Sequence, residues 1–128
     1  MEKLTFVMEN YLEAIYELSN KGDSGARLSD IAKRLGVTKA SANSAMSTLA
    51  QKGLISNEKY KEIFLTPKGK ILSEQTSHKH HVIRHFFVEV LKVDLKIADG
   101  DACAIEHVIS NEAVLAMEDY LSNQIIPD

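Results

Sequence analysis

The 128-residue sequence predicts a mainly α protein with a small β-hairpin wing, its first half a winged helix-turn-helix and its second half helical. Three observations carry this. Apolar residues recur at helical spacing along most of the chain, two short helical segments are joined by a glycine-containing turn, and two short apolar runs flanking a polar stretch follow directly.

From Thr5 to Ser19, the residues Phe6, Met8, Tyr11, Leu12, Ile15 and Leu18 recur with a period of about 3.6, and Asn20 with Gly22 supplies the stop. Gly22-Asp23-Ser24-Gly25 is a turn. Leu28, Ile31, Ala32 and Leu35 then form a short amphipathic helix, with Ser29 as its expected cap and Gly36 as its end. Thr38 is the candidate N-cap of a third helix, which turns Ala42, Ala45, Met46 and Leu49 inward and closes at Lys52-Gly53. Leu54-Ile55 and Ile63-Phe64-Leu65-Thr66 flank the polar stretch Ser56 to Glu62 and read as two strands of a hairpin, the wing.

Pro67 and Gly69 mark a boundary, after which a long helical pattern runs from Lys70 through Val90. The stretch from Ala102 to Tyr120 repeats that pattern with Ile105, Val108, Ile109, Val114, Leu115 and Met117. Two domains are expected, 1–72 and 73–128. Phe86, Phe87, Val90, Leu91, Ile109, Leu115 and Leu121 are the residues assigned to the core and interface of the second.

A hydrophobic content of 45% is ordinary for a globular chain, and the formal charge of −3 is unevenly spread. Arg27, Lys33, Arg34, Lys39, Lys52, Lys59, Lys61, Lys68 and Lys70 face only Asp30, Glu58 and Glu62 in their stretch, whereas acids dominate after Thr76. One cysteine cannot close an intrachain disulfide. The start lacks an apolar signal core and no apolar run approaches the roughly 20 residues of a membrane span, so a cytoplasmic protein with no membrane partner is expected.

The third helix opens Thr38-Lys39-Ala40-Ser41-Ala42-Asn43-Ser44, small polar residues that permit close approach to a major groove. The candidate contacts to double-stranded DNA are Arg27, Thr38, Lys39, Ala40, Ser41, Asn43, Ser44 and Ser47, with Lys59 and Lys61 on the wing. Asn pairs bidentately with adenine, while Ser and Thr discriminate little, so part of the specificity falls to DNA shape. Lys52, Lys59, Lys61 and Lys68 would contact phosphates, positioning without specifying. One polar helix alone is more often a solvated face; the string of helix, turn, helix and hairpin is what favours nucleic acid.

In the second half, Cys103, Glu106 and His107 stand at i, i+3 and i+4, which on a helix puts a thiol, a carboxylate and an imidazole on one face as donors to one transition-metal ion. Two more clusters accompany it: Asn10, Glu13 and Glu17 on the first helix, and His78, His80, His81 and His85 on the long one. A lone histidine on a helix is more often a surface residue than a ligand. Three polar clusters that each interrupt an apolar helix point to a site. His81 and His85, at i, i+4, could form a separate surface site, although exposure or packing between subunits accounts for them as well.

These residues resemble the diphtheria-toxin-repressor family of metal-dependent transcriptional regulators. The resemblance covers essentially the whole chain and rests on Met8-Glu9-Asn10-Tyr11-Leu12-Glu13-Ala14-Ile15-Tyr16-Glu17-Leu18, Leu28-Ser29-Asp30-Ile31-Ala32, Leu65-Thr66-Pro67-Lys68-Gly69, Lys79-His80, and Cys103 through Ser110. It implies a homodimer of winged-helix subunits that binds an operator when charged with Fe²⁺ or Mn²⁺ and represses metal-uptake genes. It further implies Asn10, Glu13, His80, Cys103, Glu106 and His107 as metal ligands. With its end near Asp128, the chain looks like the short, manganese-transport-regulator-like branch without the extra C-terminal domain.

The sequence departs from the family pattern at three positions. Asn10 stands where aspartate or methionine is usual, and Arg84 and Asp99 stand where iron-sensing members have the glutamate and histidine of a second site. Cys103 stands where the manganese branch has a carboxylate, and thiolate favours Fe²⁺, Co²⁺, Ni²⁺ or Zn²⁺ over the harder Mn²⁺. Iron is therefore the first expectation and manganese the second, with Zn²⁺, Co²⁺ or Ni²⁺ able to bind in vitro. Two other classes compete: a metal-independent winged-helix regulator, and an enzyme with Cys103 as nucleophile and His107 as base. The second lacks any oxyanion device, and i, i+4 residues are better placed to share an ion than to relay a proton.

Overall fold

The computed structural model describes residues 4–56 and 62–125, which form two compact units, Met1–Glu74 and Gln75–Asp128. The element order is α1 (Phe6–Leu18), α2 (Leu28–Leu35), α3 (Lys39–Gln51), β1 (Ile55–Ser56), β2 (Phe64–Leu65), α4 (Pro67–Glu89), α5 (Leu95–Ile105) and α6 (Asn111–Ile125).

Helix α1 starts where expected because the Thr5 hydroxyl accepts the Met8 N–H at 3.1 Å. It buries Tyr11, Leu12, Ala14, Ile15 and Tyr16. Helix α2 begins earlier than its sequence suggests: Arg27 occupies the cap without a side-chain bond, and Ser29 lies inside the first turn. The cause is tertiary. Ala26 and Ile63 exchange both backbone hydrogen bonds at 2.8 Å, which keeps the chain extended up to Arg27, and Leu28 then packs on the core. Gly36 ends α2 in the left-handed region at φ 67°, where a side chain would be strained.

Helix α3 is capped by Thr38, whose side chain accepts from the Ser41 N–H, and turns Ala42, Ala45, Met46 and Leu49 into the core. The hairpin is antiparallel with Ile55 opposite Leu65 and Ser56 opposite Phe64. It is shorter than expected: Leu54 precedes β1, and Ile63 bridges Ala26 instead of β1. Leu54, Ile55 and Ile63 close the core under α1, α2 and α3. Thr66 caps α4 through its hydroxyl, which accepts the Gly69 N–H at 3.1 Å, and Pro67 occupies the first helical position, where its missing N–H costs nothing.

The boundary between the units, after Glu74, falls within α4. In the second unit, the expected continuous helical pattern from Ala102 to Tyr120 is interrupted. Helix α5 ends at Ile105, a turn follows, and α6 starts at Asn111. The restart is a capping event: the Ser110 hydroxyl accepts the Ala113 N–H at 3.1 Å. Helix α5 itself begins at Asp94, whose carboxylate accepts from the Lys96 N–H. The buried apolar residues here are Val82, Ile83, Ala98, Ala102 and Val114, and they share the interior with Glu106 and His107. Leu91 and Leu115, assigned by sequence to core or interface, are more than half exposed.

Candidate metal centre and nucleic-acid interface

The Cys103, Glu106 and His107 triplet sits at the C-terminal end of α5 and not along the face of one continuous helix. Cys103 is in the last turn, Glu106 is the C-cap with helical dihedrals, and His107 lies in the turn beyond. Glu106 and His107 are buried at 2% and 6% exposure, whereas Cys103 is exposed. The Cys103 sulfur and a Glu106 carboxylate oxygen lie within 4.8 Å of each other. His107 Nε2 is 3.7 Å from Glu106 Oε2.

His80, projecting from α4, completes this cluster: its Nδ1 lies 2.8 Å from Glu106 Oε1. Its other nitrogen, Nε2, lies 2.8 Å from Asp99 Oδ1, and the same carboxylate oxygen accepts from Arg84 Nη1 at 3.1 Å. The Asp99 carboxyl is held below the usual carboxylate range, first by the hydrogen bond from His80, against partial desolvation, and then by Arg84. Sequence reasoning passed over Asp99 and Arg84 as departures from a family pattern. The available signal was spacing, since Arg84 stands one helical turn beyond His80.

A buried carboxylate flanked by two imidazoles and a thiol is expensive to assemble without compensating positive charge. Around the Glu106 carboxylate it sets nitrogen and sulfur donors beside the oxygens, a set that suits a transition metal. The donor chemistry therefore fits a divalent ion.

Asn10 and Glu13 are half-buried on α1. Glu17, the third polar residue of that cluster, is engaged in an ion pair with Arg34 of α2. Of the remaining histidines, His78 pairs with Glu118 at 3.0 Å, and His81 Nδ1 accepts from Arg84 Nη2 at 3.1 Å. These two line a groove with His85, Val82 and Leu121. Among the described residues, they do not converge as ligands of one ion.

On the first unit, Arg27, Thr38, Lys39, Ala40, Ser41, Asn43, Ser44 and Ser47 are all exposed. All but Arg27 lie on α3 or its cap and share the side opposite Ala42, Ala45, Met46 and Leu49, so one face of the helix is packed and the other is presented. Lys59 and Lys61 lie outside the described residues. Lys68 Nζ is 3.5 Å from the Lys52 carbonyl, which brings two of the phosphate-contact candidates together beside the hairpin.

Residues 3–63 match the profile described as iron dependent repressor, N-terminal DNA binding domain, and residues 66–124 match the iron dependent repressor metal binding and dimerisation domain. The chain is 36% identical over 104 residues to the HTH-type transcriptional regulator MntR of Lysinibacillus sphaericus, covering 80% of this chain and 73% of that one. It is 32% identical over 105 residues to an uncharacterised HTH-type transcriptional regulator of Methanocaldococcus jannaschii, covering 82% of this chain and 84% of that one. Among solved structures, the manganese regulator SloR superposes with a TM-score of 0.75 at 27% identity, over 90% of this chain and 53% of that one. The chain thus spans about half the length of that solved relative. With both halves matched in order, the chain belongs to the iron-dependent repressor family, the diphtheria-toxin-repressor family of metal-dependent transcriptional regulators.

Proposed function

We propose that this protein is a metal-dependent repressor of iron- or manganese-uptake genes, acting in the cytoplasm as a homodimer on double-stranded DNA and catalysing no reaction. The observation that carries the reading is the buried Glu106 with His80 Nδ1 at 2.8 Å and His107 Nε2 at 3.7 Å, in a chain whose other unit presents a polar recognition helix. The proposed domains are 1–72 for DNA and 73–128 for metal and dimerisation.

His80, Cys103, Glu106 and His107 would hold the ion, joined by Asn10 and Glu13 on the strength of the first-helix motif. When bound, the ion supplies coordination bonds that fix its ligands to one another. In a two-fold dimer, two recognition helices about 34–36 Å apart would enter successive major grooves. Asn43 supplies the bidentate donor and acceptor for adenine, Lys39, Ala40, Ser41, Ser44 and Ser47 add weaker reading together with Arg27 and Thr38, and Lys52, Lys59, Lys61 and Lys68 engage phosphates. Binding is reciprocal: metal favours the DNA-competent arrangement, so DNA tightens metal, with a typical coupling of about 1–3 kcal/mol.

The Cys103 thiolate makes Fe²⁺ the first choice, and the likeness to a manganese regulator keeps Mn²⁺ second. Zn²⁺, Co²⁺ and Ni²⁺ would bind in vitro. The test is DNA-binding titration with operator fragments selected from genomic DNA, with Fe²⁺ under anaerobic conditions, with Mn²⁺, and with chelator. Metal-dependent binding that weakens in Cys103→Ala and His107→Ala supports the proposal. Binding indifferent to chelator leaves a metal-independent winged-helix regulator and removes the metal reading.

A further inference from the structure

The proposed ligand His80 is gripped on both sides. Nδ1 meets Glu106 Oε1 and Nε2 meets Asp99 Oδ1, each at 2.8 Å, with the imidazole 16% exposed, the Glu106 side chain fully buried and the Asp99 side chain about half exposed at 51%. The two sides differ chemically. Around Glu106 lie further donors, the Cys103 sulfur and His107 Nε2. Around Asp99 lies a fixed cation, with Arg84 Nη1 at 3.1 Å from the same oxygen that faces His80.

An ionised carboxylate only accepts hydrogen bonds, so Nε2 carries a proton whenever it bonds to Asp99. A metal ion needs a nitrogen lone pair, which Nδ1 can offer once its proton leaves to solvent. The guanidinium at Asp99 repels a divalent ion from the Nε2 side, while the donors at Glu106 attract one to the Nδ1 side. We infer that Asp99, anchored by Arg84, is a positioning residue for the metal centre: it holds His80 as the Nε2–H tautomer and turns Nδ1 toward Glu106. The arrangement is a carboxylate–histidine relay in which the outer carboxylate orients a ligand without touching the ion.

This rests on the metal reading above, and the test separates the two. Zn²⁺, diamagnetic and expected to bind this donor set, is titrated calorimetrically into the chelator-stripped full chain and into Asp99→Ala, Asp99→Asn and Arg84→Ala. Apo thermal melts establish that each variant folds. Affinity should fall about 10–100-fold in Asp99→Ala. Asp99→Asn, which keeps the oxygen acceptor and discards the charge, should recover part of the loss, and Arg84→Ala should fall between wild type and Asp99→Ala.

Long-range ¹H–¹⁵N spectra of the Zn²⁺-loaded wild type should show His80 protonated at Nε2 and metal-bound at Nδ1. That signature should weaken in Asp99→Ala, a change that a purely structural role for Asp99 would not produce. Undiminished Zn²⁺ affinity in folded Asp99→Ala, or metal at Nε2 in the wild type, overturns the inference and leaves the metal reading intact. Failure of the wild-type chain to bind Zn²⁺ overturns both.

Discussion

The first unit buries Ile15, Ile31, Met46, Leu49, Leu54 and Ile63 with almost no exposure, drawn from three helices and from the residues that precede β1 and β2. The second, among the described residues, buries Val82, Ile83, Ala98, Ala102 and Val114 together with Glu106 and His107. It leaves Leu91, Leu95, Ile97, Val108, Leu115 and Tyr120 exposed. A reader of DNA must keep its shape on its own, and its interior is apolar apart from the two serines Ser19 and Ser73. A sensor has to depend on something outside itself. The second unit's interior holds a carboxylate and an imidazole while large apolar side chains stay exposed, an arrangement that the ion and the second copy proposed above would complete.

This difference should appear first in the response to core truncation. Leu49→Ala removes a fully buried side chain and should cost about 2–5 kcal/mol, read by urea unfolding; a cost below about 1 kcal/mol would show that the reader's packing is not its main support. Metal sharpens the contrast from the other side. Mn²⁺ or Fe²⁺ at a hundredfold excess over its dissociation constant should add about 2.7 kcal/mol, recoverable by chelator and absent in Glu106→Ala. Calorimetric scans that show the gain unchanged in Glu106→Ala would place the ion elsewhere.

A tight approach in the first unit predicts the next effect. A methyl group added at Gly69 would stand 2.0 Å from the Leu54 carbonyl oxygen, and that oxygen already accepts the Thr66 N–H at 3.0 Å. Gly69→Ala should destabilise by about 1–3 kcal/mol, with the wing displaced; an unchanged melting temperature would contradict this packing.

The smallest effect concerns pH. The Tyr16 hydroxyl is pushed up from its ordinary value by burial first and then by the Glu74 charge, with Lys70 opposing and Asp23 adding. A raised value means that the folded state holds the proton more tightly than the unfolded chain does. The stabilisation is therefore complete below the unfolded tyrosine pKa of about 10 and is lost as pH rises through the folded value. Stability of the wild type should decline in that alkaline range more steeply than that of Tyr16→Phe, and identical profiles would remove the effect.

Much of this was legible from residue order. Helix α3 and its cap at Thr38 follow from local chemistry, as does the inward row of Ala42, Ala45, Met46 and Leu49, because side-chain caps and helical periodicity act within a few residues. The cap of α2 was misread at Ser29 because the bridge between Ala26 and Ile63 joins residues far apart in sequence. The break between α5 and α6 had a local sign in Ser110, but a run of apolar residues at helical spacing obscured it.

At the candidate site, sequence alone determined which donors exist and that Glu106 and His107 travel together, since spacing within one turn of helix fixes their neighbourhood. It also determined the family, through motifs spread over both halves of the chain. Only the tertiary structure decided that His80 meets Glu106 through Nδ1 and Asp99 through Nε2, and that Arg84 secures Asp99. Those contacts join α4 to α5 across separations that no periodicity encodes, and the packing of the two helices alone brings them within hydrogen-bonding distance.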